Sequence, residues 1–360
     1  MAANASTNLV FVGTYTRLGR STGIHVFRRD PRSGRLGALQ ATVDVDPSFL
    51  AFSPSREFLF AVGETKEFQG QNGGSVSSWR IDWQTGTLAF ISRQPTLGGD
   101  PCHLTTDPSG KTLLVANHED GNIAVLPITS DGHLEPPRQL VQHHGSGPGP
   151  TQKGPHAHFV TFDPGARRVL AVDKGIDRIM IYQLDPEAGT LSPADPPFTA
   201  VHTGAAPRHL AFHPSGRYAY VNGEADLTIT AFRYDGASGR FEELHHLPTV
   251  PTQNRPERQS TAQILVHPNG RFVYVSNRGH DSIAIFAIDE SSGRLTPAGH
   301  VATQGHTPRN FAFDPEARFL YAANQNSHTI VQFSVNADTG NLTPTGNVAE
   351  VGGPVCILFG

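Results

Sequence analysis

Two polar positions recur at fixed places in a repeated sequence unit, and they carry the side chains best suited to chemistry. The unit is clearest at 207–234, PRHLAFHPSGRYAYVNGEADLTITAFRY, where Arg208 and Glu224 stand 16 residues apart. The His-Pro-Ser-Gly segment between them predicts a turn joining two strands, because proline fixes φ and glycine tolerates positive φ. The second strand returns to the level where the first began, so this cation and this carboxylate are predicted to be neighbours.

The two positions differ from one copy of the unit to the next. Six residues before the turn proline stand Ser48, Cys102, His158, Arg208, Ala262 and Arg309. Ten residues after it stand Glu64, His118, Lys174, Glu224, Arg278 and Gln325. A scaffold tends to repeat one capping residue at such a place. In a ligand site, each copy of the unit contacts a different part of the ligand, so the residue type varies. The variation therefore predicts a ligand site at one mouth of a central channel.

The unit repeats along nearly the whole chain. Its turn prolines are Pro54, Pro108, Pro164, Pro214, Pro268 and Pro315, spaced 47 to 56 residues apart. Repeats of this length with several strand-like runs are typical of propeller blades, and the chain has room for about seven of them. Long amphipathic helices are not expected. The sequence predicts an all-β fold, a seven-bladed β-propeller of four-stranded antiparallel blades.

Only six copies are whole, so the seventh blade is predicted to be split between residues 8–45 and 354–360. The run PVCILF at 354–359 would supply its first strand and pair with the N-terminal strand. Such pairing of the two chain ends closes the ring and leaves no open edge strand. We expect one domain over 8–360, preceded by a loose tail of residues 1–7.

Composition excludes several classes of protein. The net charge is −4 with no basic run, which argues against a nucleic-acid partner. Two distant cysteines form neither a disulfide framework nor a zinc spacing. The opening MAANASTNLV lacks the features of a signal peptide, and no apolar run reaches membrane-spanning length. We expect a soluble, cytoplasmic monomer without a cofactor.

Two long loops interrupt the repeat, 142–158 (QHHGSGPGPTQKGPHAH) and 251–260 (PTQNRPERQS). Long loops in compact domains are usually functional or disordered. Both precede the first strand of a blade, so His156 and Arg255 are expected at the rim that carries Arg208. His143 is expected on the loop surface. The pair His156-x-His158 lacks an accompanying carboxylate pattern, so no metal site is predicted.

A purely structural role is the alternative. Arg208 and Glu224 could form a salt bridge worth about 0–1 kcal/mol if exposed, and Lys174 and His118 could be solvated rim residues. A propeller that binds a partner without catalysis is also compatible with the fold. Such a scaffold would show apolar patches on its rim, whereas this rim is rich in His, Arg and Glu, which favours a small anion.

Seven motifs carry a resemblance to a known family: FVGTYT (11–16), GIHVF (23–27), GDPCHLTTDPSGKTLLVANH (99–118), GPHAHFVTFDP (154–164), PRHLAFHPSGRYAYVNGE (207–224), YVSNRGHDSIAIF (274–286) and PRNFAFDP (308–315). They resemble the seven-bladed propeller lactonases, which include bacterial 6-phosphogluconolactonases and are similar to fungal carboxy-cis,cis-muconate cyclases. The resemblance implies a carboxylic ester hydrolase that converts 6-phospho-D-glucono-1,5-lactone to 6-phosphogluconate in the pentose phosphate pathway. A cyclase running lactone chemistry in reverse is the other enzymatic possibility.

The resemblance also implies site residues. The related cyclases use a histidine, two arginines and a glutamate, which fall here on His158, Arg208, Glu224 and Arg278, with His156 beside the first. The remaining expected substrate-binding residues are Lys174, Arg309, Arg255, Glu64 and His118. The chain departs from the family's pattern in two places: Thr151 stands where an arginine is common, and Gln263 where a glutamate is frequent.

Lactone hydrolysis needs a base for water, stabilisation of the tetrahedral oxyanion and an acid for the ring oxygen. His158 or Glu224 could be the base. We favour His158, because a carboxylate beside Arg208 would have a lowered pKa. Arg208 and Arg278 would hold the oxyanion or an anionic group of the substrate, since guanidinium binds phosphate and carboxylate bidentately.

Overall fold

The computed structural model describes residues 8–251 and 259–360, which form seven four-stranded antiparallel sheets. This confirms the predicted all-β propeller. The expected tail 1–7 and Arg255 lie outside the described residues. In the described part of the chain the single helical element is a 3₁₀ turn, Thr16–Leu18, and no helix there is long and apolar enough to cross a membrane.

Each of blades 1 to 3 is built from strands in chain order, innermost strand first. Blade 1 comprises β4 (Leu50–Phe52), β5 (Phe58–Gly63), β8 (Ser75–Ile81) and β9 (Leu88–Pro95), with a small hairpin β6 (Glu67–Phe68) and β7 (Gln71–Asn72) inserted. Blade 2 comprises β10 (Pro101–Thr106), β11 (Thr112–Asn117), β12 (Asn122–Pro127) and β13 (Gln139–Gln142). Blade 3 comprises β14 (Ala157–Phe162), β15 (Val169–Asp173), β16 (Arg178–Asp185) and β17 (Thr190–Ala200).

Blades 4 to 6 follow the same order. Blade 4 comprises β18 (Pro207–Phe212), β19 (Tyr218–Gly223), β20 (Thr228–Asp235) and β21 (Arg240–Pro248). Blade 5 comprises β22 (Ser260–Val266), β23 (Phe272–Arg278), β24 (Ser282–Ile288) and β25 (Leu295–Ala302). Blade 6 comprises β26 (Pro308–Phe313), β27 (Phe319–Asn324), β28 (Thr329–Val335) and β29 (Leu342–Glu350).

Blade 7 joins the two ends of the chain. Its strands are β30 (Pro354–Phe359), β1 (Leu9–Thr14), β2 (Gly23–Arg29) and β3 (Leu36–Val43). β1 pairs with β30 through Val10↔Phe359 and Phe11↔Leu358. The predicted closure of the ring is therefore confirmed, and β1 gains a hydrogen-bonded neighbour on both sides.

The core is distributed between the blades rather than gathered in one place. Seven apolar clusters each join two adjacent blades. The strands read as continuous apolar runs because successive side chains point to opposite faces, and both faces are covered. In β11, Leu113 and Val115 pack toward blade 1 while Leu114 and Ala116 pack toward blade 3. The packed ring holds the ends of the inner strands rigidly around the channel.

Candidate active site

A polar cavity of about 340 Å³ opens at one rim of the channel. The residue that follows or ends the second strand of every blade lines this cavity: Tyr15, Glu64, His118, Lys174, Glu224, Arg278 and Gln325. Six of these are the strand-end series of the sequence. The seventh, Tyr15, follows β1 of the split blade. The closed ring thus brings the equivalent positions of the seven blades together, and they form the wall of one site.

The first strands contribute through a repeated irregularity. The β10–β11 ladder skips Cys102, the β14–β15 ladder skips His158 and the β26–β27 ladder skips Arg309. An extra, unpaired residue of this kind is a β-bulge, which turns a side chain away from the regular pleat. Cys102, His158 and Arg309 all line the cavity. Arg208 occupies the corresponding irregularity in β18. Unlike the other three it does not line the cavity, because its guanidinium contacts Glu224, His209 and the Ala262 carbonyl behind the cavity wall.

Glu224 is surrounded by three cations. Its Oε1 lies 2.5 Å from Lys174 Nζ, and its Oε2 lies 3.0 Å from both Arg208 Nε and Arg278 Nη2. The side chains of Arg208 and Glu224 are only 3 % and 18 % exposed. The spacing of the repeat unit therefore does bring this arginine and this glutamate together, in a buried cluster rather than at an exposed rim.

The charges of this cluster fix its protonation. Burial raises the pKa of Glu224, but Lys174, Arg278 and Arg208 outweigh that effect and hold the pKa well below its usual value. Burial, together with Arg309 and Arg278, lowers the pKa of Arg208 to about 9, which leaves the guanidinium charged at pH 7. The cluster is a carboxylate held among permanent cations, so Glu224 is a weak base.

The imidazoles beside this cluster are neutral. Burial, reinforced by Arg208, lowers the pKa of His158 well below its usual value. Burial, reinforced by Lys174, lowers the pKa of His118 to about 3. Within the described residues, His158 Nδ1 has no hydrogen-bond partner. No hydrogen bond from a described protein group to this buried nitrogen therefore fixes the tautomer of the His158 ring.

The opposite wall is built from the split blade and blade 1. The Tyr15 hydroxyl donates to Glu64 Oε1 at 2.7 Å, and Arg17 Nη2 donates to the same oxygen at 3.2 Å. Arg17 also stacks over the Tyr15 ring at 3.8 Å and reaches Asp46. Burial raises the pKa of Tyr15, so its hydroxyl is a hydrogen-bond donor at neutral pH.

Arg309 stands between the two walls. Its Nη2 lies 3.9 Å from Glu64 Oε1, and its guanidinium lies 5.2 Å from the centroid of the Tyr15 ring. The ion pair is long, whereas Lys174 and Arg278 contact their carboxylate closely. Arg309 is therefore the cavity cation with the weakest tie to a described carboxylate.

The structure places the other expected residues as follows. His156 stands behind His118, with the rings stacked at 4.9 Å and its Nδ1 donating to the His118 carbonyl. Arg255 lies outside the described residues. The expectation that His143 is on the loop surface is wrong: its ring is buried and contacts Asp173 Oδ2 at 2.6 Å, because a loop of this length folds back onto the blade that follows it.

A cluster of possible metal ligands lies beside the cavity. Asp100, His118 and Glu119 bring their donor atoms within 4.8 Å of one another. Lys66 Nζ already lies 3.0 Å from Glu119 Oε1 and 3.8 Å from Asp100 Oδ2. Because this ammonium supplies the positive charge, the group does not need a metal ion.

Sequence reasoning missed Tyr15, Arg17 and Asp100, all of which line the cavity. Tyr15 could have been found by extending the strand-end series to the split blade. Arg17 lies on the 3₁₀ turn and Asp100 on a connection between blades, and neither position belongs to the repeat. No signal in the sequence marked these two.

Together the fold and the cavity define a class: a closed seven-bladed propeller with a polar, cation-rich small-molecule site at one mouth of its channel. The chain belongs to the family described as "Lactonase, 7-bladed beta-propeller", which matches residues 9–359. The resemblance of the motifs is thereby confirmed.

Relatives of this chain carry related names. A 6-phosphogluconolactonase of Bacillus subtilis is 37 % identical over 305 residues, which cover 84 % of each chain. A 6-phosphogluconolactonase of Formosa agariphila is 33 % identical over 313 residues, covering 85 % of this chain and 86 % of the relative.

Solved structures agree. A putative 6-phosphogluconolactonase of Bacteroides fragilis has a TM-score of 0.92 at 33 % identity, covering 100 % of this chain and 99 % of its own. A periplasmic gluconolactonase of Pseudomonas aeruginosa has a TM-score of 0.92 at 35 % identity, covering 98 % of both chains.

Proposed function

We propose that this lactonase hydrolyses 6-phospho-D-glucono-1,5-lactone to 6-phosphogluconate. The names of the relatives support a phosphorylated sugar lactone. A cavity of about 340 Å³ is at the lower end of the range expected for small-molecule sites. The substrate therefore fits the site in size as well as in chemical class.

The observation that carries this proposal is the asymmetry of charge around the cavity. Blades 3, 5 and 6 line the cavity with Lys174, Arg278 and Arg309, and Arg208 of blade 4 contacts Glu224 from behind the cavity wall. This side has a surplus of positive charge in a partly desolvated place, where an anion is attracted more strongly than in water. We place the phosphate near Arg309, the cation with the longest ion pair.

Hydrolysis of the lactone needs a base, a group that stabilises the oxyanion and a proton donor for the ring oxygen. A water molecule attacks the lactone carbonyl carbon while a base takes one of its protons. The negative charge that develops on the carbonyl oxygen is stabilised by the guanidinium of Arg278, which lines the cavity, while Arg208 holds Glu224 from behind. The tetrahedral intermediate then breaks its bond to the ring oxygen, which receives the proton from the protonated base. The new carboxylic acid releases its remaining proton to solvent, so the products are the carboxylate and the free hydroxyl.

His158 is the base we favour over Glu224. Both oxygens of Glu224 are held by cations, and its depressed pKa makes it a poor acceptor. His158 is neutral, because burial lowers the pKa of its ring and the charges of Arg208 and Lys174 lower it further. An anionic substrate that offsets these charges would raise that pKa toward neutrality and strengthen the base when it is needed.

The test is the rate of 6-phosphogluconolactone hydrolysis above the spontaneous background, with product reported by a coupled dehydrogenase. We expect His158→Ala and Glu224→Gln each to lower kcat/KM by about 10²–10⁴-fold. The matched control is His144→Ala, which changes an exposed histidine of the same loop. Full activity in both site variants, with circular dichroism unchanged, would show that the reaction does not use this cavity.

Substrate choice is tested on the unmodified protein with three compounds. We expect the phosphorylated lactone to be hydrolysed with a higher kcat/KM than unphosphorylated glucono-1,5-lactone, and carboxymuconate not to be cyclised. Equal kcat/KM for the first two compounds would contradict the assignment of Arg309 to the phosphate. Turnover of carboxymuconate alone would replace the proposed function by the cyclase reaction.

A further inference from the structure

A second cluster of metal-type donors lies away from the cavity, at the outer edge of blade 4. His202 comes from the connection between blades 3 and 4, and Glu243 and His246 come from β21. One donor atom of each lies within 4.8 Å of the other two. The exposed fractions of the three side chains are 19 %, 34 % and 48 %, so the cluster is open to solvent.

A bulge in β21 brings two of these donors to one face. Phe232 pairs with Glu243 and Ala231 pairs with His245, so Leu244 is an extra residue in the ladder. Residues three apart on a regular strand point to opposite faces. The extra residue reverses that alternation, so Glu243 and His246 share the face on which His202 lies. His246 Nδ1 lies 3.0 Å from Glu243 Oε1.

A carboxylate also fixes the orientation of His202. His202 Nε2 lies 2.6 Å from Asp226 Oδ2, while its Nδ1 lies 3.3 Å from the Thr230 hydroxyl. A carboxylate that accepts the N–H of an imidazole orients its other nitrogen and makes it a better ligand, as is usual for metal-binding histidines. Nδ1 of His202 is thus the nitrogen left for a metal ion, which would replace the contact with the Thr230 hydroxyl.

The bulge itself is shared by several blades, but the donors are not. The positions of Glu243 and His246 are occupied by Phe90 and Arg93 in blade 1, Pro297 and His300 in blade 5, and Ala38 and Ala41 in blade 7. In blade 1 this place is closed by an ion pair of Arg93 with Asp44. Blade 4 instead stacks two imidazoles at 4.2 Å, and each of them contacts a carboxylate, His202 that of Asp226 and His246 that of Glu243.

We propose that His202, Glu243 and His246 bind a divalent transition-metal ion of the Zn²⁺ type, with Asp226 orienting His202. Two imidazoles and a carboxylate are a donor set that suits Zn²⁺ and leaves a fourth position for water. The carboxylates of Asp226 and Glu243 bring two formal negative charges to the cluster, which one divalent ion cancels.

Binding requires a small adjustment. Tetrahedral zinc ligands lie roughly 3.4 Å apart, so the donor atoms must move closer than the 4.8 Å that bounds them now. The stacked His246 ring must also turn. Because 48 % of this side chain is exposed, it has room to do so, while His202 and the backbone of β21 stay in place.

The experiment titrates tag-free protein with Zn²⁺ alone in a non-chelating buffer at pH 7.5, by calorimetry, with Co²⁺ absorption as a second readout of tetrahedral ligation. We expect one tight equivalent. His246→Ala and Glu243→Gln should each weaken it at least 10-fold, and Asp226→Asn should weaken it about 10–100-fold.

The matched control is His300→Ala, which removes the histidine at the corresponding bulge of blade 5 and should leave the affinity unchanged. The site is refuted if the unmodified protein takes up no stoichiometric Zn²⁺, or if His246→Ala and His300→Ala change the affinity equally. Since the readout is metal binding, these outcomes are independent of the lactonase assay.

Discussion

At the level of single residues, Glu224 is the carboxylate that compensates the buried positive charges of the site. Three buried or half-buried cations converge on its carboxylate. Removing one partner from such a group leaves charges without compensation, which costs more than the pair contributes relative to an apolar core. Glu224 is therefore expected to stabilise the fold as well as to shape the charge of the site.

We expect Glu224→Gln to lower the free energy of unfolding at pH 7 by about 3–5 kcal/mol. A carboxyl with a depressed folded-state pKa stabilises the fold above its unfolded pKa, and that contribution is lost only as pH falls through the folded value. Because the pKa of Glu224 lies well below its usual value, the difference from wild type should stay constant from pH 8 to pH 5.5 in urea unfolding.

The control for this prediction is Glu119→Gln, which removes an exposed partner of Lys66. It should change the free energy of unfolding by no more than about 1 kcal/mol. A cost for Glu224→Gln as small as that of the control would mean that the three cations are compensated by solvent rather than by this carboxylate.

A second residue, Gln263, helps to fix the tautomer of His209. His209 Nδ1 lies 2.6 Å from Gln263 Oε1, and His209 Nε2 lies 3.2 Å from Arg208 Nη1. The arginine can only donate, so Nε2 is the acceptor and Nδ1 carries the proton. Burial, reinforced by Arg208, lowers the pKa of His209 well below its usual value. The neutral glutamine is thus compatible with a neutral imidazole in this place.

At the level of elements, the loop between blades 2 and 3 is held by blade 3 itself. Asp173, at the end of β15, contacts His143 with one carboxylate oxygen and accepts the backbone N–H groups of His156 and Gly175 with the other. Gln152 adds hydrogen bonds to the Lys174 carbonyl and to Asp177. The loop that precedes His158 is thereby tied to the turn that carries Lys174.

We expect His143→Ala to lower the free energy of unfolding by about 1–3 kcal/mol, because a buried carboxylate oxygen of Asp173 loses its partner. Amide exchange between residues 144 and 156 should become faster, since the loop loses one anchor. Lactonase activity should fall because the released segment leads directly into His158 and is tied through Gln152 to the carbonyl of Lys174. The exposed neighbour provides the control: His144→Ala should alter neither stability nor exchange.

The same elements explain how much the sequence could predict. Register against the turn proline identified six of the seven strand-end residues of the cavity. Tyr15 was missed because the turn of its blade is where the chain begins and ends, so no proline sets its register. Arg17 and Asp100 lie on connections outside the repeat. The burial of His143 depends on Asp173, a partner 30 residues away, which local patterns do not reveal.

At the level of the whole molecule, the ring gathers imidazoles at its axis. His103 packs between Phe49 and Phe159 at 4.0 and 4.2 Å, and His209 lies 5.6 Å from His103 and 5.3 Å from His158. This buried set comes from the first strands of blades 2, 3 and 4. Because these histidines are buried, the native ring keeps them neutral, and its stability therefore depends on pH.

Burial is the main cause that lowers the pKa of His103 and His118 to about 3, and of His158 and His209 well below the usual value. Unfolded histidine titrates near pH 6.5, so as pH falls below that value the unfolded chain binds protons that the native ring refuses. The stabilisation is complete above about pH 6.5 and is lost progressively below it, by about 1.4 kcal/mol per pH unit for each histidine. These four together contribute a slope of about 5 kcal/mol per pH unit near pH 5.5.

We expect urea midpoints measured from pH 7.5 to pH 5.5 to fall steeply once the pH is below 6.5. His103→Leu, which replaces one of the four between its aromatic neighbours, should reduce the slope of unfolding free energy by about 1.4 kcal/mol per pH unit whatever its effect at pH 7.5. His144→Ala should leave the slope unchanged because that side chain is exposed. Identical slopes for wild type and His103→Leu would mean that this buried imidazole takes up its proton in the native ring, so that the axis of the propeller is accessible to water.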